Sequence, residues 1–166
     1  LQISHGVCEH IGRYEDFAMF LASKGFVVCG NDHIGHGKSV NDEDELGFTA
    51  EKDGYRRFVD DMHILYTIMH RRYPDLPYFM FGHSMGSFLV RQYLGFYGAG
   101  ITGAIIMGTG DQPYVILHAG KLICRFIAIF RGWKYRSSFV DNIAAGGYNK
   151  AFEKETDGSN WLSRNP

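Results

Sequence analysis

Tyr78-Phe79-Met80-Phe81-Gly82-His83-Ser84-Met85-Gly86-Ser87-Phe88-Leu89 is the stretch that decides how this chain folds. The apolar run Tyr78–Phe81 reads as a strand buried on both faces. Ser84–Tyr97 carries Met85, Phe88, Leu89 and Tyr93 on one side at helical spacing. Strand and helix meet at Gly82-His83-Ser84-Met85-Gly86, which fits Gly-x-Ser-x-Gly. The bare pattern arises by chance in about one of twenty chains of this length, so its place at the junction is what gives it weight. The chain must turn sharply there. Ser84 is expected in a strained backbone conformation, and side chains at 82 and 86 would collide across the turn. Such a turn projects the Ser84 hydroxyl out of the sheet at the positive end of a helix, which suits a nucleophile.

Outward from this junction the pattern repeats. Gln2–Ser4 is a short β-run ending at His5-Gly6, and Arg13–Lys24 has helical spacing of Tyr14, Phe17, Ala18 and Leu21 before Gly25. Phe26–Cys29 is a compact apolar strand, and a Gly- and His-rich loop runs from Asp32 to Ser39. A long helix is expected over Glu51–Arg72, with Tyr55, Phe58, Met62, Leu65 and Met69 as its stripe and Pro74 past its end. Ala104–Met107 is a fourth strand. Strands alternating with helices mean a parallel sheet with helices on its faces, and right-handed crossovers restrict the topology. After Gly110 the alternation stops. Tyr114–Phe130 reads as a strongly apolar helix, Ser137–Ala145 as a short one, and the Gly-, Asn- and Ser-rich remainder to Pro166 as irregular. Residues 1–110 are therefore expected to form an α/β core, and 111–166 a helical insertion over the sheet.

Composition narrows the function. In 166 residues, 17 Lys plus Arg stand against 18 Asp plus Glu, a net charge of −1, which lacks the basic excess that nucleic acid would require. Aromatic residues at 15% supply core enough to make disorder a poor reading. Cys8, Cys29 and Cys124 are odd in number and far apart, so they suggest no disulfide framework and favour a reducing, cytoplasmic compartment. The chain opens without Met, in what reads as mid-strand, and closes on Arg164-Asn165-Pro166; both ends lead us to expect an internal piece of a longer protein.

A hydroxyl nucleophile needs two N–H groups to hold the oxyanion. One is expected from Met85, the residue after the nucleophile, and the other from Val7 in the loop His5-Gly6-Val7 after the first strand. If the second strand lies on one side of the first and the third on the other, the two loops face each other across a switch point, where ligands bind. None of the eight histidines (His5, His10, His33, His36, His63, His70, His83, His118) is assigned as the base. His33 and His36 sit on a Gly-rich loop without a matching ligand cluster, which makes a poor metal site. His36 is expected to hydrogen-bond locally, His83 to point away from the Ser84 hydroxyl, and His63 and His70 to lie on the surface of the long helix.

Three spaced motifs carry a resemblance. His5-Gly6-Val7, Glu9-His10 and Gly12-Arg13-Tyr14, then Asp32-His33-Ile34-Gly35-His36-Gly37-Lys38-Ser39, then Gly82–Ser87 resemble the monoacylglycerol lipase and lysophospholipase branch of the α/β-hydrolases. Gly110–Pro113, Gly147–Lys150 and Asn160–Arg164 look like the cap of its bacterial members. The resemblance implies an α/β-hydrolase fold, Ser84 as nucleophile, and Val7 and Met85 as oxyanion hole. It also implies a triad completed by an Asp and a His that lie beyond Pro166. Val7 stands where the family often has a smaller residue, which is expected to narrow the pocket. Cys8 beside it is expected to be a packing residue.

From Pro113 to Arg136 there are five cations (Lys121, Arg125, Arg131, Lys134 and Arg136) and no Asp or Glu, interleaved with Leu117, Leu122, Ile123, Phe126, Ile127, Ile129 and Phe130. That mixture suits either an acyl tunnel beneath and a lipid interface above, or a helix packed on the core with a solvated basic edge. It is too short and too charged to span a bilayer. The expected function is serine ester hydrolysis of a lipid monoester, with a small lipid or ester as substrate, peripheral membrane contact through the cap, and no metal or organic cofactor. The alternatives are an aminopeptidase of the same fold and a non-catalytic relative that binds a ligand or partner.

Overall fold

The computed structural model describes residues 1–144. The expected irregular tail, the end of the second short helix at Ala145, and the stretches Gly147–Lys150 and Asn160–Arg164 lie outside the described residues. The strands are β1 (Gln2–Ser4), β2 (Cys29–Gly30), β3 (Phe79–His83) and β4 (Gly103–Met107). The helices are α1 (Glu15–Ser23), α2 (Gly54–Arg72), α3 (Met85–Tyr97), α4 (Tyr114–Arg131) and α5 (Ser138–Ala144). The chain divides into two compact units, Leu1–Gln112 and Pro113–Pro166.

In the first unit the four strands are all parallel, in the order β2-β1-β3-β4. β1 therefore has β2 on one side and β3 on the other, and the chain reverses direction across the sheet between β1 and β3. Register pairs Ser4 with Gly82 and Gly82 with Ile106, so the carboxyl ends of β1, β3 and β4 come level. The core on one face is Val59 and Met62 of α2, Met80 of β3, and Leu89, Val90 and Tyr93 of α3, with Tyr78. On the other face Phe81 meets Phe17 of α1 and Tyr14, with ring centroids 5.6 and 6.2 Å apart. The central residues of β3, Met80–Gly82, are buried, as a strand covered on both faces requires.

Several expectations are corrected. Arg13–Lys24 is not one helix: a 3-10 turn over Ile11–Tyr14 precedes α1. α2 starts at Gly54 rather than Glu51, after Asp53 at φ 54°. Its buried face is centred on Val59 and Met62, while Tyr55 is exposed. The expected stripe is the buried face: Met62 lies in the core and Phe58 and Met69 pack against it, with Val59 added, while Tyr55 sits in the exposed first turn of the helix. Phe88 of α3 is likewise exposed and Val90 buried. The second strand shrinks to two ladder residues, with Phe26 exposed at its approach.

Asp32 organises the loop after β2. Its carboxylate accepts the N–H groups of Ile11 and Lys38, both at 2.7 Å, and its carbonyl accepts the Ser39 hydroxyl at 2.8 Å. Burial alone would raise the Asp32 carboxyl; the Lys38 and Ile11 N–H groups outweigh it and hold the group below the ordinary aspartate value. One carboxylate thus ties the loop after β1 to the loop after β2, and both rims of the sheet's carboxyl edge are fixed together.

Candidate active site

Ser84 has φ 51° and ψ −117°, a region that an L side chain enters only at a cost. Its N–H donates to the Met107 carbonyl at 2.9 Å, which ties the turn to β4. Its carbonyl accepts the Ser87 N–H at 2.9 Å and the Ser87 hydroxyl at 2.6 Å, which ties it to the first turn of α3. The strained residue is held from both ends, as such a conformation requires.

The two glycines are needed for different reasons. A Cβ on Gly82 would meet the Gly86 carbonyl and the Ser87 Cα across the turn. A Cβ on Gly86 would instead strike the carbonyls of Ser4 and His5. The start of α3 is packed against the end of β1, so the second glycine serves the contact with the neighbouring strand rather than the turn itself.

That contact brings the first loop to Ser84. A Cβ on Gly6 would lie 3.2 Å from Ser84 Cβ and 2.7 Å from Glu9 Oε1. Gly6 is wedged between the serine and a carboxylate. Its N–H donates to Glu9 Oε1 and is therefore already engaged. Val7 is exposed and Met85 half-buried beside Ser84. The loop after β1 and the turn after β3 thus flank one point at the amino end of a 13-residue helix, where N–H groups and the helix dipole favour negative charge.

The histidines fall into distinct settings. His5, His33 and His36 are buried together, with the His5 ring 4.3 Å from His33 and 5.4 Å from His36. His5 Nε2 accepts the His33 N–H at 3.0 Å, so the proton of its neutral ring sits on Nδ1 and is donated to the Gly6 carbonyl at 2.7 Å. Burial, then the neighbouring His36, lower the His5 pKa against the raising effect of the Gly6 carbonyl. His33 Nε2 pairs with Ser4 Oγ at 2.9 Å, and its Nδ1 has no hydrogen-bond partner among the described residues. Burial, then the two adjacent histidines, push the His33 pKa down to about 3. His36 bonds the Ile34 carbonyl at 3.0 Å.

His63 is not simply a surface residue. It stacks on Tyr97 at 3.9 Å and shares a hydrogen bond with Tyr93 Oη at 3.0 Å, wedged between α2 and α3. His70 is exposed and stacks on Tyr66, and His118 packs on Tyr114. Among the described residues no histidine hydrogen-bonds to Ser84 Oγ, and no cluster of three or more His, Cys, Asp or Glu is placed to hold a metal ion.

Two features escaped sequence reasoning. Cys8, expected to pack, is exposed and sits at φ 58°, where a residue without a side chain would be comfortable. Glu9 collects donors from three segments; its nearness to His83, 74 residues away, has no sequence signature.

Comparison with known proteins agrees with this geometry. Residues 1–166 match the serine aminopeptidase S33 family. Human monoglyceride lipase is 37% identical over 91 residues, covering 51% of this chain and 26% of that protein. The monoacylglycerol lipase of Mycolicibacterium smegmatis is 33% identical over 118 residues, covering 71% of this chain and 39% of the other. A thermostable carboxyl esterase from Bacillus coagulans, solved in complex with glycerol, superposes with a TM-score of 0.85 at 34% identity, over 99% of this chain and 53% of that one. These alignments span between about a quarter and a half of each relative's length. With its parallel sheet, its strained serine turn and these relatives, the chain belongs to the serine aminopeptidase S33 family of α/β-hydrolases and, within it, resembles the monoacylglycerol lipase-like branch.

Proposed function

We propose that this chain carries the nucleophile half of a serine ester hydrolase acting on lipid monoesters such as monoacylglycerols or lysophospholipids. The observation that carries the reading is Ser84 at φ 51°, ψ −117° between β3 and α3, with the loop after β1 packed against it. On this reading Ser84 Oγ attacks the acyl carbonyl carbon and the π electrons move to oxygen. The N–H groups of Val7 and Met85 hold that oxyanion. A histidine oriented by an aspartate, neither assigned among the described residues, takes the Ser84 proton and returns it to the leaving alcohol. Water then cleaves the acyl-enzyme by the reverse proton path. No metal or organic cofactor enters the scheme.

The substrate class is supported by the lipases and esterase among the relatives. It is supported further by α4, the amphipathic helix that opens the second unit. Ile116, Leu122, Phe126 and Phe130 are exposed on it beside Lys121 and Arg125, a composition suited to a cap that touches a lipid surface. Among the described residues no helix is long and apolar enough to cross a membrane. Three free cysteines accord with a cytoplasmic setting, peripheral to a membrane.

The family's description favours one second reading, hydrolysis of an amino-terminal peptide bond by the same serine. The experiment compares the natural polypeptide carrying this sequence with its Ser84→Ala variant. It measures 1-monoacylglycerol hydrolysis, aminoacyl-nitroanilide hydrolysis and fluorophosphonate labelling. Ester turnover and labelling that Ser84→Ala lowers by at least about a thousandfold are expected. Turnover of the nitroanilide alone would favour the peptidase, and near-parental ester turnover in Ser84→Ala would sink the nucleophile assignment.

A further inference from the structure

We infer that Glu9 is a positioning residue that holds the two halves of the oxyanion hole at a fixed separation. The inference rests on the reading of Ser84, Val7 and Met85 given above. Glu9 Oε1 accepts from three donors on three segments: the Gly6 N–H, the Tyr14 hydroxyl at 2.8 Å and His83 Nδ1 at 3.1 Å. Gly6 immediately precedes Val7, and His83 immediately precedes Ser84, which Met85 follows. One oxygen therefore grips the residue before the loop donor and the residue before the nucleophile. Tyr14, whose ring packs on Phe81 of β3, fixes the carboxylate to the sheet.

The arrangement demands an ionised carboxylate. Three donors converge on a single oxygen, more than a neutral amide oxygen receives comfortably, and charge-assisted bonds of this kind are about twice as strong as neutral ones. Glu9 is only 10% exposed, and Arg13 lies 3.9 Å from its second oxygen. Burial alone would raise the Glu9 carboxyl; the bonds from Gly6, His83 and Tyr14 outweigh it and hold the group below the ordinary glutamate value. Because the carboxylate can only accept, Nδ1 of His83 carries the proton it donates. His83, expected to point away from the hydroxyl, has this partner instead of a role on the serine.

The geometry also explains why the clamp acts on chemistry more than on binding. Gly6 has Glu9 Oε1 on one side and Ser84 Cβ on the other, with no room for a methyl group between them. A loop released from Glu9 loses its spacing from Ser84. An oxyanion hole out of place stabilises the transition state less while leaving the acyl and head-group contacts alone.

The test uses the natural polypeptide carrying this sequence, with Glu9→Gln, Glu9→Asp and Tyr14→Phe beside Ser84→Ala. Glutamine keeps the shape, removes the charge, and turns an amide NH2 group toward either the donors or Arg13. For a short-chain nitrophenyl ester, kcat in Glu9→Gln should fall about 10- to 100-fold with KM within about threefold. Affinity for a boronic acid, which forms a tetrahedral anionic adduct on the serine, should fall by the same factor as kcat. Glu9→Asp should recover part of the loss. Tyr14→Phe, which removes one donor without touching the charge, should lower kcat about two- to fivefold, and it decides the matter if Glu9→Gln does not fold. Parental kcat in Glu9→Gln, or a loss confined to KM and melting temperature with boronate affinity unchanged, overturns the positioning role. The two readings separate cleanly. An inactive Ser84→Ala with a fully active Glu9→Gln removes only Glu9, whereas an active Ser84→Ala removes the nucleophile, and the role of Glu9 falls with it.

Discussion

Acid should destabilise this fold through His33 in particular. The ring is buried against His5 at 4.3 Å and Phe58 at 5.5 Å, Ser4 Oγ is on Nε2, and Nδ1 has no partner among the described residues. A second ring proton would sit on that unpaired nitrogen, out of reach of water and beside two other imidazoles. The folded pKa of about 3 lies below the ordinary value of 6.5, so the unfolded chain binds this proton more readily than the folded one. Stability from this group is therefore complete above pH 6.5 and is lost as pH falls toward 3. The slope is about 1.4 kcal/mol per pH unit for one proton. Between pH 7 and pH 5 the loss is about 2 kcal/mol, a sizeable share of a stability of roughly 5–15 kcal/mol. Urea midpoints of the natural polypeptide and its His33→Phe variant, taken from pH 7 to pH 5, read this directly. Phenylalanine fills the volume without titrating, and Ser4 Oγ keeps Met62 Sδ as a second partner at 3.9 Å. The variant should start less stable at pH 7 and show a pH dependence flatter by about 2 kcal/mol over the interval. Parallel curves for the two proteins would refute the argument, placing the acid sensitivity elsewhere.

Other perturbations follow from single contacts. Gly86→Ala places a methyl group against the Ser4 and His5 carbonyls, which belong to backbone and cannot swing aside. It should cost about 2–4 kcal/mol of stability and abolish fluorophosphonate labelling of whatever remains folded, and parental labelling would show that α3 is not seated on β1. Cys8 at φ 58° favours glycine and penalises a β-branched residue. Cys8→Gly should be at least as stable as the parent and Cys8→Val less stable by about 1–2 kcal/mol in thermal melts, and equal stability of the two variants would contradict the backbone conformation.

What the sequence determined by itself is local or periodic. The serine turn is legible because strand, glycine pair and helix are contiguous, and a sharp strand-to-helix turn restricts its residues whatever surrounds it. The alternation of strands and helices is legible because a parallel sheet requires long crossovers, and the order β2-β1-β3-β4 obeys the switch point expected from it. What only the tertiary structure decided involves residues distant in sequence. Spacing shows which face of α2 is apolar but not how far along the helix that face is covered: Val59 and Met62 are buried, whereas Tyr55, in the first turn on the same face, is exposed. Gly86 looks like a requirement of its own turn and proves to be a requirement of β1, 82 residues upstream of it at Ser4. His5, His33 and His36 read as polar loop residues, yet they close into a dry cluster because the loops after β1 and β2 are tied together by Asp32. Glu9 meets His83 only once β1 and β3 lie side by side. Composition and periodicity report the solvent preference of a segment; which polar groups share a proton depends on distances of about 3 Å that exist only after the sheet has closed.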